Sequence, residues 1–170
     1  LLPAGWAAFT GLHADKHINS VMDATQLLGP GVLDVAATLR ACTTIDEMVQ
    51  VVADLARRYS GNAKKVPHWF IQAVDTWLNA RLSPDIEDLE HATNLSRRQI
   101  ERLCRQHYGS PPKLLVRKYR ALRTANAIAK GKGDWQDFID EGYYDQSHCI
   151  REVKEFVGIT PSALRANASR

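Results

Sequence analysis

Apolar residues recur every three or four positions through most of this 170-residue chain, the spacing of one face of an α-helix. The pattern predicts helices over 31–42, after the Gly29-Pro30-Gly31 break, and over 44–59, where Thr43 or Thr44 caps a first turn of acids and arginines fill the last turn. Ser60-Gly61-Asn62 ends that helix. Pro67 opens the next, about 67–80, with Phe70, Ile71, Val74, Trp77 and Leu78 on one face, and Ser83-Pro84 begins another. No segment alternates convincingly at the period of a strand, although the weakly patterned residues 4–21 leave room for extended structure. The expected class is all-α.

The pattern repeats. Shifting residues 88–115 by 49 lays them on 137–164 without a gap. Asp88 falls on Asp137, Ser96 on Asp145, Ile100 on Cys149, Arg102 on Arg151, Cys104 on Val153, Gly109 on Gly158 and Pro112 on Pro161. Helix caps, inward apolar positions and terminating glycine and proline all recur, so one supersecondary unit occurs twice. Each copy reads as a short helix, a tight turn and a second helix. The first has helix 86–93, turn Asn94-Leu95 and helix 96–108; the second has helix 134–141, turn 142–144 and helix 145–157. In a helix-turn-helix the second helix enters the major groove. On the first such helix Arg98, Glu101, Arg102 and Arg105 project together, away from Ile100, Leu103 and His107. The same shift delivers Ser147, Ile150, Arg151 and Lys154 to the outer face of the second.

Charge sharpens this reading. Residues 1–62 hold four Lys/Arg against six Asp/Glu (−2), residues 63–133 fourteen against six (+8), and residues 134–170 four against seven (−3). A local excess of +8 suits a polyanion or, equally on charge alone, a solvated helical surface. A change in composition and charge, with a Gly-Asn break, places a domain boundary near Ser60–Lys65. No apolar run approaches the roughly 20 residues that span a bilayer. The start at Leu1 reads as that of a fragment, and no export signal is expected. Cys42, Cys104 and Cys149 are odd in number and far apart, as in a reducing cytoplasm with buried thiols.

Other chemistry is poorly supplied. Asp145, His148, Cys149 and Glu141 lack the separated, convergent spacing of a zinc site, and His13 and His17 have no third ligand nearby. There is no phosphate-cradling glycine loop and no nucleophile elbow. No cofactor, metal or enzymatic activity is expected.

The stretch GYYDQSHCIREVKEFVGITPSALR (142–165) strongly resembles the second helix-turn-helix of the AraC/XylS transcription regulators. LSRRQIERLCRQHYGSPPKLLVRKYRALRTANAI (95–128) resembles their first one plus the linker helix, and the likeness covers about residues 66–165. The resemblance implies a seven-helix DNA-binding domain over 63–170, in which a long helix at about 112–130 joins two units that enter successive major grooves. Carried over by position, the groove-facing residues are Arg98, Glu101 and Arg102, then Gln146, Ser147, His148, Ile150 and Arg151. Arg105 and Lys154 extend the two faces, while Arg117 and Lys118 of the linker are expected to meet phosphates or water. Two departures stand out. Glu90 and Ile139 occupy helix crossings where the family favours small residues, and Cys104 and Cys149 stand where it favours large apolar ones.

Residues 1–62 vaguely resemble the end of a sensor region, a last piece of β-barrel followed by helices. Ile45, Met48, Val52, Leu55 and Tyr59 form a narrow seam that fits either a homodimer through 44–59 or packing within its own domain. The resulting expectation is a cytoplasmic, bacterial, sequence-specific regulator, an activator or equally a repressor, with double-stranded DNA as partner and RNA polymerase as a candidate second partner. The alternative is the DNA-binding module of a fusion whose ligand-binding or catalytic part is absent from this chain.

Overall fold

The computed structural model describes residues 2–131, 135–138 and 142–168. Among them every regular element is helical, and the chain divides into two compact units, 1–71 with 103–109 and 72–102 with 110–170.

The first unit begins with helix α1 (Pro3–Thr10) and a 3-10 turn, Ala14–His17. Residues 4–21, where weak patterning left room for extended structure, are helical over Pro3–Thr10 and Ala14–His17 and form no strand. Pro3 stands in the first turn, where its missing N–H costs nothing, alanines favour the helix, and Gly11 closes it in the left-handed region. Nor is there a strand of a β-barrel among the described residues of 1–62. Helices α2 (Ala24–Leu28), α3 (Val32–Ala41) and α4 (Ile45–Tyr59) follow, then a 3-10 segment, Ser60–Lys65, against which α1 packs. Thr44 caps α4 through a reciprocal box: its hydroxyl accepts from the Glu47 N–H, and the Glu47 carboxylate accepts from the Thr44 N–H. No described residue from Leu2 to Lys65 is buried; burial begins at Val66, Phe70 and Ile71. Buried His107 belongs to this unit too, and burial, followed by the nearby His13, pushes its pKa down. Cys42 is only half-buried, unlike Cys104 and Cys149.

Helix α5 (His68–Ala80) leads into the second unit, which comprises α6 (Ile86–Thr93), most of the first turns of α7 (Arg97–Tyr108), α8 (Pro112–Ala129), a 3-10 turn (Trp135–Phe138), α9 (Gln146–Val157) and α10 (Pro161–Ala168). Asn94 turns the chain between α6 and α7 at φ 52° and ψ 34°, a left-handed conformation that asparagine tolerates. The expected helix 134–141 falls partly on residues outside the described ones, and Ile139 with it. Glu90 does not crowd its crossing: its half-buried side chain swings to within 3.7 Å of Arg97.

Both α9 and α10 pack on α8. The seat is made by small residues. Ala121 and Ala125 of α8 are buried, and their lack of bulk admits Cys149 and Val153 of α9 and the ring of Tyr143, with Phe138, Phe156, Val157 and Leu164 around them. Each large apolar side chain removed from water here is worth about 1.5–3 kcal/mol. Gly142 is required by contact rather than by dihedral angle. A Cβ there would lie 2.8 Å from Arg120 Cδ and 3.1 Å from Leu82 Cβ. Arg120 cannot retreat, because its guanidinium is held at both ends of a carboxylate. Gly142→Ala should therefore destabilise the chain by about 1–3 kcal/mol in denaturant unfolding; an unchanged midpoint would show that Arg120 is free to yield.

Candidate nucleic-acid interface

Helix α7 is anchored at its start. The Ser96 N–H donates to the Gln99 side-chain carbonyl at 2.9 Å, and Arg97 reaches back to Glu87 of α6 at 2.7 Å. Ile100 and Cys104 are fully buried. With these positions turned inward, Arg98, Glu101, Arg102 and Arg105 stand exposed along the opposite side, at spacings of three and four. Arg97 and Arg98 are both exposed, but Arg97 is paired with Glu87 of α6.

Helix α9 repeats the arrangement. Asp145 is its N-cap, accepting from the His148 N–H at 2.7 Å, and Gly158 ends it in the left-handed region at φ 85°. Cys149 and Val153 are buried, whereas Gln146, Ser147, Arg151 and Lys154 are exposed. Arg151 lies back along its own helix, with Nε donating to the Ser147 carbonyl at 3.3 Å. Ile150 is half-buried at the edge of the face.

His148 stands apart from these residues. Its Nδ1 accepts from the Tyr144 N–H at 3.3 Å, its Nε2 lies 3.4 Å from Glu152, and its ring meets Tyr143 edge-on at 5.4 Å between centroids. Together with Glu101 of α7 it borders an open cleft of ≈ 690 Å³ whose wall is α8, at Lys113 and Arg117. The structure thus brings one residue of each expected recognition helix to a single cleft.

The floor of the cleft contains what sequence reasoning missed. Glu152 of α9, 1% exposed, receives Arg120 Nε on Oε1 at 2.7 Å and Arg120 Nη2 on Oε2 at 2.8 Å. Arg117 donates to the same Oε2 at 3.1 Å and to Glu155 at 2.6 Å, with its guanidinium over the Phe156 ring. The expectation that Arg117 meets phosphates or water is therefore corrected: its charge is answered inside the protein. Lys118 stays exposed. A signal did exist, since the 49-residue shift places Leu103, an apolar position, on Glu152.

Burial alone would raise the pKa of Glu152. The hydrogen bonds from Arg120 and then Arg117, and the charges of Arg120 and His148, outweigh it and hold the carboxyl below its ordinary 4.5. Nearby groups move the other way. Burial lifts the Tyr143 hydroxyl to about 12, and burial followed by the Glu152 charge lifts the Cys149 thiol to about 11. Cys149 is thus a buried core residue whose thiol stays protonated at neutral pH. Among the described residues no group of three His, Cys, Asp or Glu side chains is placed to hold a metal ion.

Residues 89–167, from the middle of α6 to the last turn of α10, match a family model described as a helix-turn-helix domain. The match supports an AraC-like DNA-binding domain over these residues. No curated protein and no solved structure matches the chain. Among the described residues no helix is long and apolar enough to cross a membrane.

The depressed pKa of Glu152 has a pH signature. A carboxylate more acidic in the fold than in the unfolded chain adds stability that is whole above its ordinary value and is lost as pH falls through the folded one. The wild-type chain should therefore weaken as pH drops below 4.5. Glu152→Gln should cost about 3–5 kcal/mol at neutral pH, because it leaves the buried Arg120 without its counter-charge, and should flatten this acid limb. Equal acid slopes in the two proteins would mean that Glu152 is not ionised in the fold.

Proposed function

We propose that the chain is a sequence-specific regulator of transcription that binds double-stranded DNA, laying α7 and α9 into two successive major grooves on one side of the duplex. One observation carries this reading. Two helices in the same register, 49 residues apart, bury their inward positions and expose polar faces, within the stretch that matches the helix-turn-helix family. Bases are read by Arg98, Glu101 and Arg102 on α7 and by Gln146, Ser147 and Arg151 on α9, with Ile150 at the edge, His148 behind, and Arg105 and Lys154 one turn on. Arg102 and Arg151 hold equivalent exposed positions, suited to the O6 and N7 acceptors of guanine. Lys113 and Lys118, exposed on α8, are suited to phosphates.

The test is selection of duplexes from a random pool, followed by hydroxyl-radical footprinting on the winner. The expected result is one defined motif and two protected segments about 10 base pairs apart. Arg102→Ala or Arg151→Ala should each lose about 1–3 kcal/mol of binding and relax preference at one base pair. Equal loss on selected and random duplexes would remove that arginine from the base readers, and a single protected segment would remove α9.

The seam of α4 supports a homodimer through residues 44–59 as part of the same reading. Leu55 and Tyr59 are half-buried within their own unit, but Ile45, Met48 and Val52 are 78%, 41% and 51% exposed, with Val49 beside them. An antiparallel pair of these helices would set Asp46 and Glu47 against Arg57 and Arg58 of the second copy. Sedimentation should show a mass that doubles with concentration, and Val52→Asp should keep the chain monomeric. A wild-type chain that stays monomeric at high concentration would remove the dimer.

A further inference from the structure

Under the 49-residue shift the first copy has Leu103 where the second has Glu152. The two helices match in caps, inward apolar positions and outward faces, yet one of them buries a carboxylate. A leucine would fill that inward position without demanding charged partners. The acid instead recruits two arginines of α8.

We infer that Glu152 is a positioning residue for DNA reading: through Arg120 and Arg117 it fixes the rotation and axial register of α9 on α8, and through His148 it keeps that side chain off the reading face. The inference rests on the DNA-binding function proposed above. Apolar contacts between helices are non-directional, so a seat built on Ala121, Ala125, Cys149 and Val153 resists separation better than it resists rotation or sliding. A planar guanidinium that grips both oxygens of one carboxylate admits little of either. Arg120 is itself immobilised. Its side chain packs on Gly142, its guanidinium lies 4.9 Å over the Tyr143 ring, and its Nη1 meets Ser83 Oγ at 3.3 Å. Arg117 adds a second point of grip by spanning Glu152 and Glu155.

Base-edge hydrogen bonds work over only a few tenths of an ångström around about 2.7–3.2 Å. A rotation of α9 that carries Arg151 off by about an ångström therefore removes the reading without unfolding the helix. His148 belongs to the same device. Its Nδ1 faces the Tyr144 N–H at 3.3 Å, and its Nε2 lies 3.4 Å from Glu152. With both nitrogens turned toward groups of the protein, reading by α9 falls to Gln146, Ser147 and Arg151.

The experiment uses the whole chain and the duplex that the wild-type protein selects from a random pool. The key variant is the double replacement Arg120→Leu with Glu152→Leu, which removes the buried pair without stranding a charge, a change that buried ion pairs often tolerate. A second variant, Arg120→Lys, keeps the charge but not the two-point grip, and it decides the matter if the first does not fold. Each folded variant should keep the segment protected by α7 and lose the one protected by α9, with a roughly tenfold or greater loss of affinity for the selected duplex. Affinity for a duplex scrambled in the α9 half should not change. A general loss of stability would weaken both segments together, so retention of both segments, or an equal loss of both, overturns the positioning role. His148→Ala, carried through the same selection, should return the wild-type base preferences; a changed base would make His148 a reader instead. A wild-type chain that selects no motif fails at the earlier step and takes the DNA-binding reading down with this one.

Discussion

A carboxylate removed from water stays ionised only where cations and hydrogen-bond donors replace the water it has lost. Glu152 meets that condition with two guanidinium groups, and much of the second unit is arranged around it. Arg120 must enter a buried space, so Gly142 can carry no side chain against it. The ring of Tyr143 then has a cation to cover, and its hydroxyl finds Thr124 at 3.2 Å. The turn that supplies these two residues is also the entry to α9. One buried charge thus connects the linker helix, the turn and the second exposed face.

The same pairing changes what the local excess of positive charge means. Across residues 63–133, Arg81, Arg97, Arg117 and Arg120 are all in ion pairs with carboxylates. Arg123 donates to the carbonyls of Leu78 and Arg81 at the end of α5. The cations of this span that project into solvent include Arg98, Arg102, Arg105, Lys113 and Lys118, on α7 and α8. Long-range attraction for a polyanion is set by such groups, because a paired charge largely cancels beyond a Debye length. Conversely, the acidic excess of residues 134–170 includes Glu152 and Glu155, both answered by arginines of α8. The contrast between +8 and −3 in the sequence overstates the contrast in field, since salt bridges across helices cancel charge from both spans.

Residues 2–65 obey different physics. Their helices have good local signals, such as the Thr44–Glu47 box and the αL glycine after α1, yet no described residue there is buried. Local capping contributes about a kilocalorie per mole at each end and cannot substitute for a core. The apolar stripe at Ile45, Met48, Val49 and Val52 lies exposed for the same reason: within its own unit nothing covers it.

The amino-acid sequence alone determined the helical class, the capped ends of α4 and α9, and the matching exposed faces of α7 and α9. These are local properties: a period of 3.6, a capping side chain three residues from its N–H, a glycine that can turn left-handed. Arg98, Glu101, Arg102, Gln146, Ser147 and Arg151 were legible as exposed because Ile100, Cys104, Cys149 and Val153 mark the inward positions between them. Where periodicity was weak, at residues 4–21, the pattern left the conformation open, and a proline-started helix formed over Pro3–Thr10. Tertiary structure alone decided the fate of individual charges. Nothing in the linker helix distinguishes Arg117 and Arg120 from Lys118, and nothing in α9 distinguishes Glu152 from a solvated acid except its inward position. Which of them is buried and paired depends on two helices more than thirty residues apart meeting at one height, and a pairing at that separation leaves no trace in local pattern.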